Sequence, residues 1–172
     1  MKTCSSRREA SDKMIAVGFK YLYKDVKTAM YRFNQAYLLD SANSDIYWGF
    51  GGVYMVLGDL ERARAQYQYG LKYAPGNAHL LTDYGTYFLL LHYAYAEIDK
   101  KRADLQLDSA ITYLNKSFTQ NAKDPNTCYK LSVVNLLRND CKKAKHYHDL
   151  CLSLDAHTID TGFTTQLRQK CK

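Results

Sequence analysis

The sequence has few residues that interrupt helices and no apolar run long enough to cross a membrane. Only two of its 172 residues are proline, and proline is the residue that most strongly breaks a helix. No stretch approaches the roughly 18 consecutive apolar residues that a membrane-spanning helix needs. No apolar segment before Ile15 could serve as the core of a secretory signal. These absences favour an all-helical chain without a membrane span.

The sequence also lacks the common signatures of catalysis. Its one glycine-rich stretch, Gly49-Phe50-Gly51-Gly52, lies inside a helical pattern and therefore does not read as a phosphate-binding loop. No Ser-His-Asp or paired-carboxylate arrangement can be named from residue spacing. We therefore predict a protein with no catalytic residues, no bound cofactor and no enzymatic activity.

Five cysteines and five histidines raise the question of a metal site or a disulfide. The tightest group is His146-x-His148-x-x-Cys151, but the Cys-x-x-Cys pairs of structural zinc sites are absent. Cys128 and Cys151 fall at packing positions of a helical pattern, where free cysteine behaves as a small hydrophobic residue. We therefore predict no metal site. A Cys128–Cys151 disulfide is the alternative to free thiols and requires an oxidising compartment.

The charge of the chain is basic and is concentrated at both ends. The net charge is +7, and residues 1–43 and 125–172 each carry eight basic and four acidic residues. Such an excess can attract an acidic protein, nucleic acid or an anionic membrane surface. No base-stacking aromatic residues are interleaved with these charges in a recognisable motif. A solvated basic surface is therefore the favoured interpretation.

A pattern of small and large residues organises the chain and is clearest in residues 47–77. Its first half, Tyr47-x-x-Phe50-Gly51-x-x-Tyr54, predicts one face of a helix. A turn signal follows at Gly58-Asp59. The segment Ala63-x-x-x-Tyr67 then repeats the helical period, and Pro75 ends the second helix. Close approach of the two backbones at the small residues predicts a helical hairpin.

The same pattern recurs along the chain. In four successive repeats, the small residue of the second helix is Ala29, then Ala63, Ala110 and Ala144. Their separations are 34, 47 and 34 residues. The small residue of the first helix is Gly18, then Gly51, Gly85 and Ser132, at separations of 33, 34 and 47 residues. Both series place 13 extra residues between Gly85 and Ala110. Two lengthened helices, or one lengthened helix and a charged loop, fit this insertion. We expect a turn over residues 99–104, with Lys100-Lys101-Arg102 solvated, and a following helix over 107–121.

These residues and their spacing resemble the tetratricopeptide repeat, a helix–turn–helix unit with the pattern W-x-x-L-G-x-x-Y, A-x-x-x-F and P. Gly51, Tyr54, Ala63 and Pro75 match that pattern outright. The resemblance implies an all-α, right-handed solenoid of four hairpins in a single domain, residues 1–172. The expected repeats are about 11–43, 44–77, 78–124 with the insertion, and 125–156, and a capping helix follows at about 157–171.

The N-terminal segment bears on the compartment. Residues 1–12 are polar and charged and predict a frayed start. Cys4-Ser5-Ser6 resembles the start of a mature bacterial lipoprotein, although the upstream signal is absent. The sequence as given favours the cytoplasm, and a periplasmic lipoprotein is the alternative if a signal has been removed.

In this family the first helices line a concave groove that holds an extended or helical peptide. Carried over repeat by repeat, the resemblance implies these groove residues: Ile15, Phe19, Trp48, Gly52, Met55, His79, Asp83, Thr86, Tyr129, Lys130 and Val133. Trp48 is the only tryptophan, lies between small residues, and is the best candidate for a binding hot spot. For Met55 and Val133, packing against the neighbouring repeat is an equal alternative.

One subclass of the family grips the carboxylate of chaperone peptides with Lys, Asn, Asn, Lys and Arg. The matching positions here hold Ile15, Phe19, Gly49, His79 and Asp83, which argues against that function. We predict a non-enzymatic protein-interaction module that binds a peptide or a partner helix of unknown identity. The alternative is a binder of nucleic acid or of an anionic surface through the basic ends. Self-association through the terminal repeats or the insertion is a third hypothesis.

Overall fold

The computed structural model describes residues 6–172, so Cys4 and the rest of residues 1–5 lie outside the described residues. These described residues form helices and no β-strand. The helices are α1 (Arg7–Tyr21), α2 (Val26–Leu39), α3 (Asp45–Val56), α4 (Leu60–Tyr73), α5 (Ala78–Tyr95), α6 (Lys100–Gln120), α7 (Pro125–Leu137), α8 (Cys141–Leu154) and α9 (Thr161–Lys170), with a short 3₁₀ turn at Ala156–Thr158. The chain divides into two compact units, unit 1 (residues 1–83) and unit 2 (residues 84–172), and the division falls within α5.

An aspartate begins the second helix of every hairpin. In each case a side-chain oxygen accepts the backbone N–H three residues later, which satisfies one of the unpaired donors of the first turn. The capping residues are Asp25, Asp59, Asp99 and Asp140, with N···O distances of 3.1, 3.1, 2.9 and 3.0 Å. Hydrogen bonds from the hydroxyl and the backbone N–H of Thr28 hold the pKa of Asp25 below its usual value. These caps place the turns of the first, second and fourth hairpins where the repeat pattern predicts them.

The small and large residues of the pattern interlock within unit 1. A Cβ added at Gly18 would lie 2.5 Å from the ring of Phe33, and one added at Gly51 would overlap the ring of Tyr67. Phe33 and Tyr67 are themselves buried. Burial raises the pKa of Tyr67 far above that of a free tyrosine. Each pair lets the two helices of a hairpin approach closely, as the sequence pattern indicates.

Successive hairpins of unit 1 are joined by asparagines that precede α3 and α5. Asn43 is fully buried, and its Nδ2 donates to Ser11 Oγ at 3.0 Å and to Asp12 Oδ1 at 2.7 Å. Asn77 Nδ2 donates in the same way to Ser44 Oγ at 3.1 Å and to Asp45 Oδ1 at 2.5 Å. Each first helix is therefore tied to the first helix before it. We refer to these two sets of contacts as the asparagine latches.

The insertion lengthens both helices of its hairpin. Helix α5 has 18 residues and α6 has 21, against 12 to 15 for α1 to α4. The expected turn over residues 99–104 and the expected helix start at residue 107 are therefore wrong, because Asp99 caps a helix that begins at Lys100. Lys100, Lys101 and Arg102 are exposed in its first turn. The guanidinium carbon of Arg102 lies 4.0 Å from the Tyr95 ring centroid.

Residues 7–12 are helical, contrary to the expected frayed start. Helix α1 begins at Arg7, and the hydroxyl oxygen of Ser6 accepts the backbone N–H of Glu9 at 3.1 Å. The prediction of a frayed start is therefore wrong for residues 7–12. A serine followed three residues later by a glutamate is the sequence signature of a capped helix start.

Helix α9 covers the last hairpin of unit 2. Its stripe of Phe163, Leu167 and Cys171 is buried against the residues of α7 and α8. Cys171 forms a disulfide with Cys141 at the start of α8, with a Cα–Cα distance of 5.4 Å. The alternative Cys128–Cys151 pairing is wrong, because these two thiols are free and buried. The disulfide therefore fastens the end of the cap.

Candidate functional site

Three aromatic side chains from successive first helices form one stack in unit 1. The Trp48 ring of α3 lies between Phe19 of α1 and His79 of α5. The Phe19 and Trp48 centroids are 3.9 Å apart with an interplanar angle of 39°. The Trp48 and His79 centroids are 4.3 Å apart and nearly parallel, at 10°. We call Phe19, Trp48 and His79 the aromatic stack.

Asp83 fixes the orientation of the indole within this stack. Trp48 Nε1 donates to Asp83 Oδ2 at 2.6 Å, the short distance expected when the acceptor is a carboxylate. Asp83 and His79 lie one turn apart on α5 and therefore share a helix face. One face of α5 thus contacts both the ring and the N–H of Trp48 and orients the indole in the unbound chain.

The stack is partly open to solvent. His79 is exposed, while Phe19, Trp48 and Asp83 are half-buried. An aromatic surface that is fixed and partly wet can gain further apolar contact without losing much side-chain entropy. The structure therefore brings together four of the residues that the sequence resemblance assigns to the groove.

The other groove residues of unit 1 are placed differently. Ile15 is 6% exposed and belongs to the core around Ala29 and Phe33. Gly52 is buried, and a Cβ there would lie 3.3 Å from Leu22. Neither residue offers accessible surface to a partner. Met55 is half-buried.

In unit 2, Tyr129 and Val133 line a cavity of about 370 Å³ between α5, α7 and α9. The rest of its lining comprises Tyr93, Leu136, Leu137, Asp160, Gly162, Phe163, Gln166 and Lys170. The Tyr129 and Phe163 rings meet edge to face with centroids 5.3 Å apart. We call this space the cap cavity. Val133 packs against apolar side chains and also lines the cavity.

The remaining two groove residues of unit 2 lie outside this cavity lining. Lys130 Nζ lies 5.5 Å from the Tyr129 ring centroid, and Thr86 is half-buried on α5. The sequence pattern missed Tyr93, Gln166 and Lys170 as cavity residues. The apolar stripe at Phe163 and Leu167 indicated a capping helix. It did not indicate which side of that helix, α9, faces α7.

The histidine and cysteine cluster of α8 has structural contacts. His148 is buried, its Nδ1 lies 3.2 Å from Asp149 Oδ1 and its Nε2 lies 3.0 Å from Thr164 Oγ1. The Cys151 thiol donates to Pro125 O at 3.2 Å. Burial raises the pKa of Cys128 to about 11, which keeps that thiol protonated and unreactive at neutral pH. Within residues 6–172, no three His, Cys, Asp or Glu side chains are grouped so as to hold a metal ion.

No helix within the described part of the chain is both long enough and apolar enough to cross a bilayer.

Known proteins resemble this chain in structure but not in sequence. No protein-family model and no curated protein matches it. TTC0263, a thermophilic TPR protein from Thermus thermophilus, aligns with a TM-score of 0.73 over 94% of this chain and 79% of its own, at 15% identity. MamA aligns with a TM-score of 0.58 over 86% and 79% at 13% identity. A structure of MamA AMB-1 reaches 0.59 over 86% and 78% at 20% identity.

Identities this low establish a common fold and nothing more. Because the described residues are helical and the likeness to TTC0263 spans nearly the whole chain, the predicted all-α class is confirmed. The predicted resemblance to the tetratricopeptide repeat is confirmed in the same way.

Proposed function

We propose that this chain, which has the tetratricopeptide-repeat fold, is a non-enzymatic interaction module that binds a peptide segment or a partner helix. The aromatic stack of unit 1 is its anchoring surface. This fold commonly supplies binding surfaces, while the partner is decided by particular side chains.

The observation that carries the proposal is the convergence of three helices on Trp48. Phe19, Trp48 and His79 come from α1, α3 and α5, and the centroids of neighbouring rings are 3.9 and 4.3 Å apart. A cluster of partly exposed aromatic rings is typical of the residues that dominate binding energy at interfaces. Asp83 adds an acidic group beside the rings, so the surface suits a partner that offers both an apolar side chain and a hydrogen-bond donor.

The proposal is tested by affinity capture from native lysate with two substitutions, after circular dichroism has verified that the variant keeps its helical content. His79→Ala removes the exposed ring of the stack, and Asp83→Asn removes the charge but keeps an acceptor for Trp48 Nε1. Tyr31→Ala is the matched control, because Tyr31 is 59% exposed and lies outside the stack. A partner captured by wild type is expected to survive Tyr31→Ala and to be lost from the His79→Ala/Asp83→Asn variant.

Direct titration of the captured partner then measures how much binding free energy each substitution removes. Removal of one anchoring ring is expected to cost about 2 kcal/mol, or roughly thirtyfold in Kd. If the partner binds the double variant and wild type equally well, the aromatic stack is not the binding surface.

A second candidate function rests on the basic end of unit 2. Lys142, Lys145 and Arg168 are exposed and have no carboxylate within ion-pair distance among the described residues. These charges suit nucleic acid or an anionic surface. Binding that falls steeply with salt and is unchanged by His79→Ala would favour this second function over the first.

A further inference from the structure

Helix α9 is too short to be stable by its own backbone hydrogen bonds. It spans ten residues, Thr161–Lys170, and isolated helices shorter than about 12–15 residues are marginal in water. Its first half contains Gly162 and three threonines, which have low helix propensity. The position of α9 therefore depends on its contacts with the last hairpin, formed by α7 and α8.

The noncovalent contacts of α9 form a narrow seam. Phe163 and Leu167 are buried against the last hairpin. Thr164 Oγ1 lies 3.0 Å from His148 Nε2, and the Lys170 ammonium donates to a backbone carbonyl of α7 at 3.2 Å. Each such hydrogen bond adds little net stability, because water replaces it when the helix detaches. A covalent link at the end of α9 can therefore decide whether the helix stays in place.

The Cys141–Cys171 disulfide is that link, and a reductant can reach it from one side. Cys171 directly follows α9, and Cys141 is the first residue of α8. Cys171 is 3% exposed, whereas Cys141 is half-buried. An external thiolate therefore meets the sulfur of Cys141 first.

The surroundings of Cys141 favour a negative charge on its sulfur in the reduced chain. Cys141 lies at the positive end of the α8 dipole, and Lys142 and Lys143 follow it. The nearby carboxylate of Asp140 is engaged by Lys143, whose backbone N–H it accepts at 3.0 Å and whose Nζ lies 3.1 Å away. Stabilisation of the thiolate makes a disulfide easier to reduce.

We propose that the Cys141–Cys171 disulfide is a redox switch of the cap, which seats α9 on the last hairpin when oxidised and releases it when reduced. A dithiol operates the switch. Its thiolate attacks the Cys141 sulfur, the S–S bond breaks, and Cys171 leaves as a thiolate that takes a proton from water. The second thiol of the dithiol then displaces Cys141, so the reagent ends as a disulfide and both chain sulfurs end as thiols.

The state of the cap then follows the compartment. Disulfides persist where the surroundings are oxidising and are reduced by the thiol systems of the cytosol. Release of α9 uncovers apolar residues of the last hairpin, among them Leu136 and Ala144, which are buried in one cluster with Phe163 and Leu167. A terminal repeat without its cap exposes the surface that a further repeat would cover. This inference concerns unit 2 and does not rest on the proposed function of the aromatic stack.

The test is reduction of the full native chain with dithiothreitol, followed by iodoacetamide labelling and hydrogen exchange. Cys171 is the diagnostic residue, because a seated cap shields its sulfur and a released cap does not. We expect Cys171 to be labelled as rapidly as Cys141, while Cys128 and Cys151 stay protected between α7 and α8. Amide exchange in α9 should rise roughly a hundredfold, and oxidised glutathione should restore the slow rate.

Two variants separate the switch from a general effect of the reagent. Cys141→Ser/Cys171→Ser removes both sulfurs, so exchange in α9 should be fast and dithiothreitol should no longer change it. Thr164→Val removes the hydroxyl that contacts His148 but keeps the disulfide, so its response to dithiothreitol should persist. Amides of α3 in unit 1 serve as the reference and should exchange at one rate in every state.

Three outcomes would overturn the inference. The first is a disulfide that resists dithiothreitol until the whole chain unfolds. The second is reduction after which Cys141 reacts but Cys171 stays unlabelled, which would make the disulfide purely structural. The third is labelling of Cys128 as fast as Cys171, which would mean that the hairpin itself opens instead of the cap. None of them touches the aromatic stack, so the proposed function would stand.

Discussion

Unit 1 and unit 2 repeat the same hairpin but fasten it by different means. Unit 1 joins its first helices with the asparagine latches and with the aromatic stack. In unit 2 the last hairpin is held by a disulfide and by a contact between His148 and Thr164. The repeat pattern therefore decides how two helices pack within a hairpin, while other residues decide how one hairpin is attached to the next element.

The difference also separates the two proposals. In unit 1 the attachment residues include Trp48 and Asp83, so the same side chains build the fold and form the proposed surface. In unit 2 the attachment residues hold α9, and the oxidation state of the disulfide decides whether α9 stays seated. Loss of attachment should therefore impair partner binding in unit 1 and release the cap in unit 2.

The largest expected effect is the loss of the disulfide. Cys141→Ser/Cys171→Ser opens a loop with a sequence separation of 30 residues, and loop entropy predicts a loss of about 3–4 kcal/mol in the free energy of unfolding. Hydrogen exchange should show faster opening of α9 and little change in unit 1. Equal exchange in α9 with and without the disulfide would contradict this assignment.

Alkylation sharpens the same prediction. After mild reduction of the native protein, the half-buried Cys141 should react with iodoacetamide, while the buried Cys128 and Cys151 should not. Peptide mass measurement distinguishes the sites. Early labelling of Cys128 would mean that reduction opens the whole last hairpin.

The next largest loss in the free energy of unfolding is expected from overpacking the hairpin of α3 and α4. Gly51→Val places side-chain atoms into the ring of Tyr67 and should cost about 3 kcal/mol. Ser132 occupies the matching position in α7 and already carries a Cβ, so Ser132→Val should cost less, about 1–2 kcal/mol. Denaturant unfolding followed by circular dichroism measures both, and a larger loss for Ser132→Val would contradict the comparison.

Loss of the asparagine latch at Asn43 should lower the free energy of unfolding by a smaller amount, and only in unit 1. Asn43→Ala removes the donor that joins Ser11 and Asp12 and should cost about 2 kcal/mol, since its partners are left with an unmet hydrogen bond. Asn34→Ala is the control, because Asn34 is exposed on α2. Hydrogen exchange should respond in α1 and α3 for the first variant only, and similar losses from both variants would rule out the latch.

The smallest change in stability is expected at the equivalent turns of the second and fourth hairpins. Gly58 and Asn139 precede the capping aspartates with φ of 73° and 60°. Glycine adopts this conformation more readily than asparagine, so Asn139→Gly should stabilise by about 0.5 kcal/mol and Gly58→Asn should destabilise by a similar amount. Thermal unfolding of the two variants should move in opposite directions, and shifts of the same sign would count against this account.

Residue spacing predicts the hairpins because packing within them is local. Gly51 and Tyr67 lie 16 positions apart and face each other across their hairpin, so their types show in the pattern. The Cys141–Cys171 pair shows no such signal, because each cysteine also fits a packing position of a helical sequence pattern. Pairing depends on where α9 lies, which spacing alone does not determine.

Residue spacing is likewise only a partial guide to the candidate sites. Phe19, Trp48, His79 and Asp83 could be assigned from the repeat, because equivalent positions of successive first helices lie side by side. Burial of Ile15 and Gly52 could not, since it depends on Leu22 and the surrounding core. The latches left a weak signal, since Asn43 and Asn77 are 34 residues apart and Ser11-Asp12 and Ser44-Asp45 are 33 apart.

Fluorescence of Trp48, the only tryptophan of the chain, tests most directly whether the aromatic stack is the binding surface. Addition of the captured partner to wild type, with a partner segment free of tryptophan, should shift the emission and reduce quenching by iodide, because the partner covers the aromatic stack. The His79→Ala/Asp83→Asn variant should show neither change at the same concentrations. If a partner binds with full affinity and leaves both the emission and the quenching of Trp48 unchanged, the aromatic stack is not the binding surface.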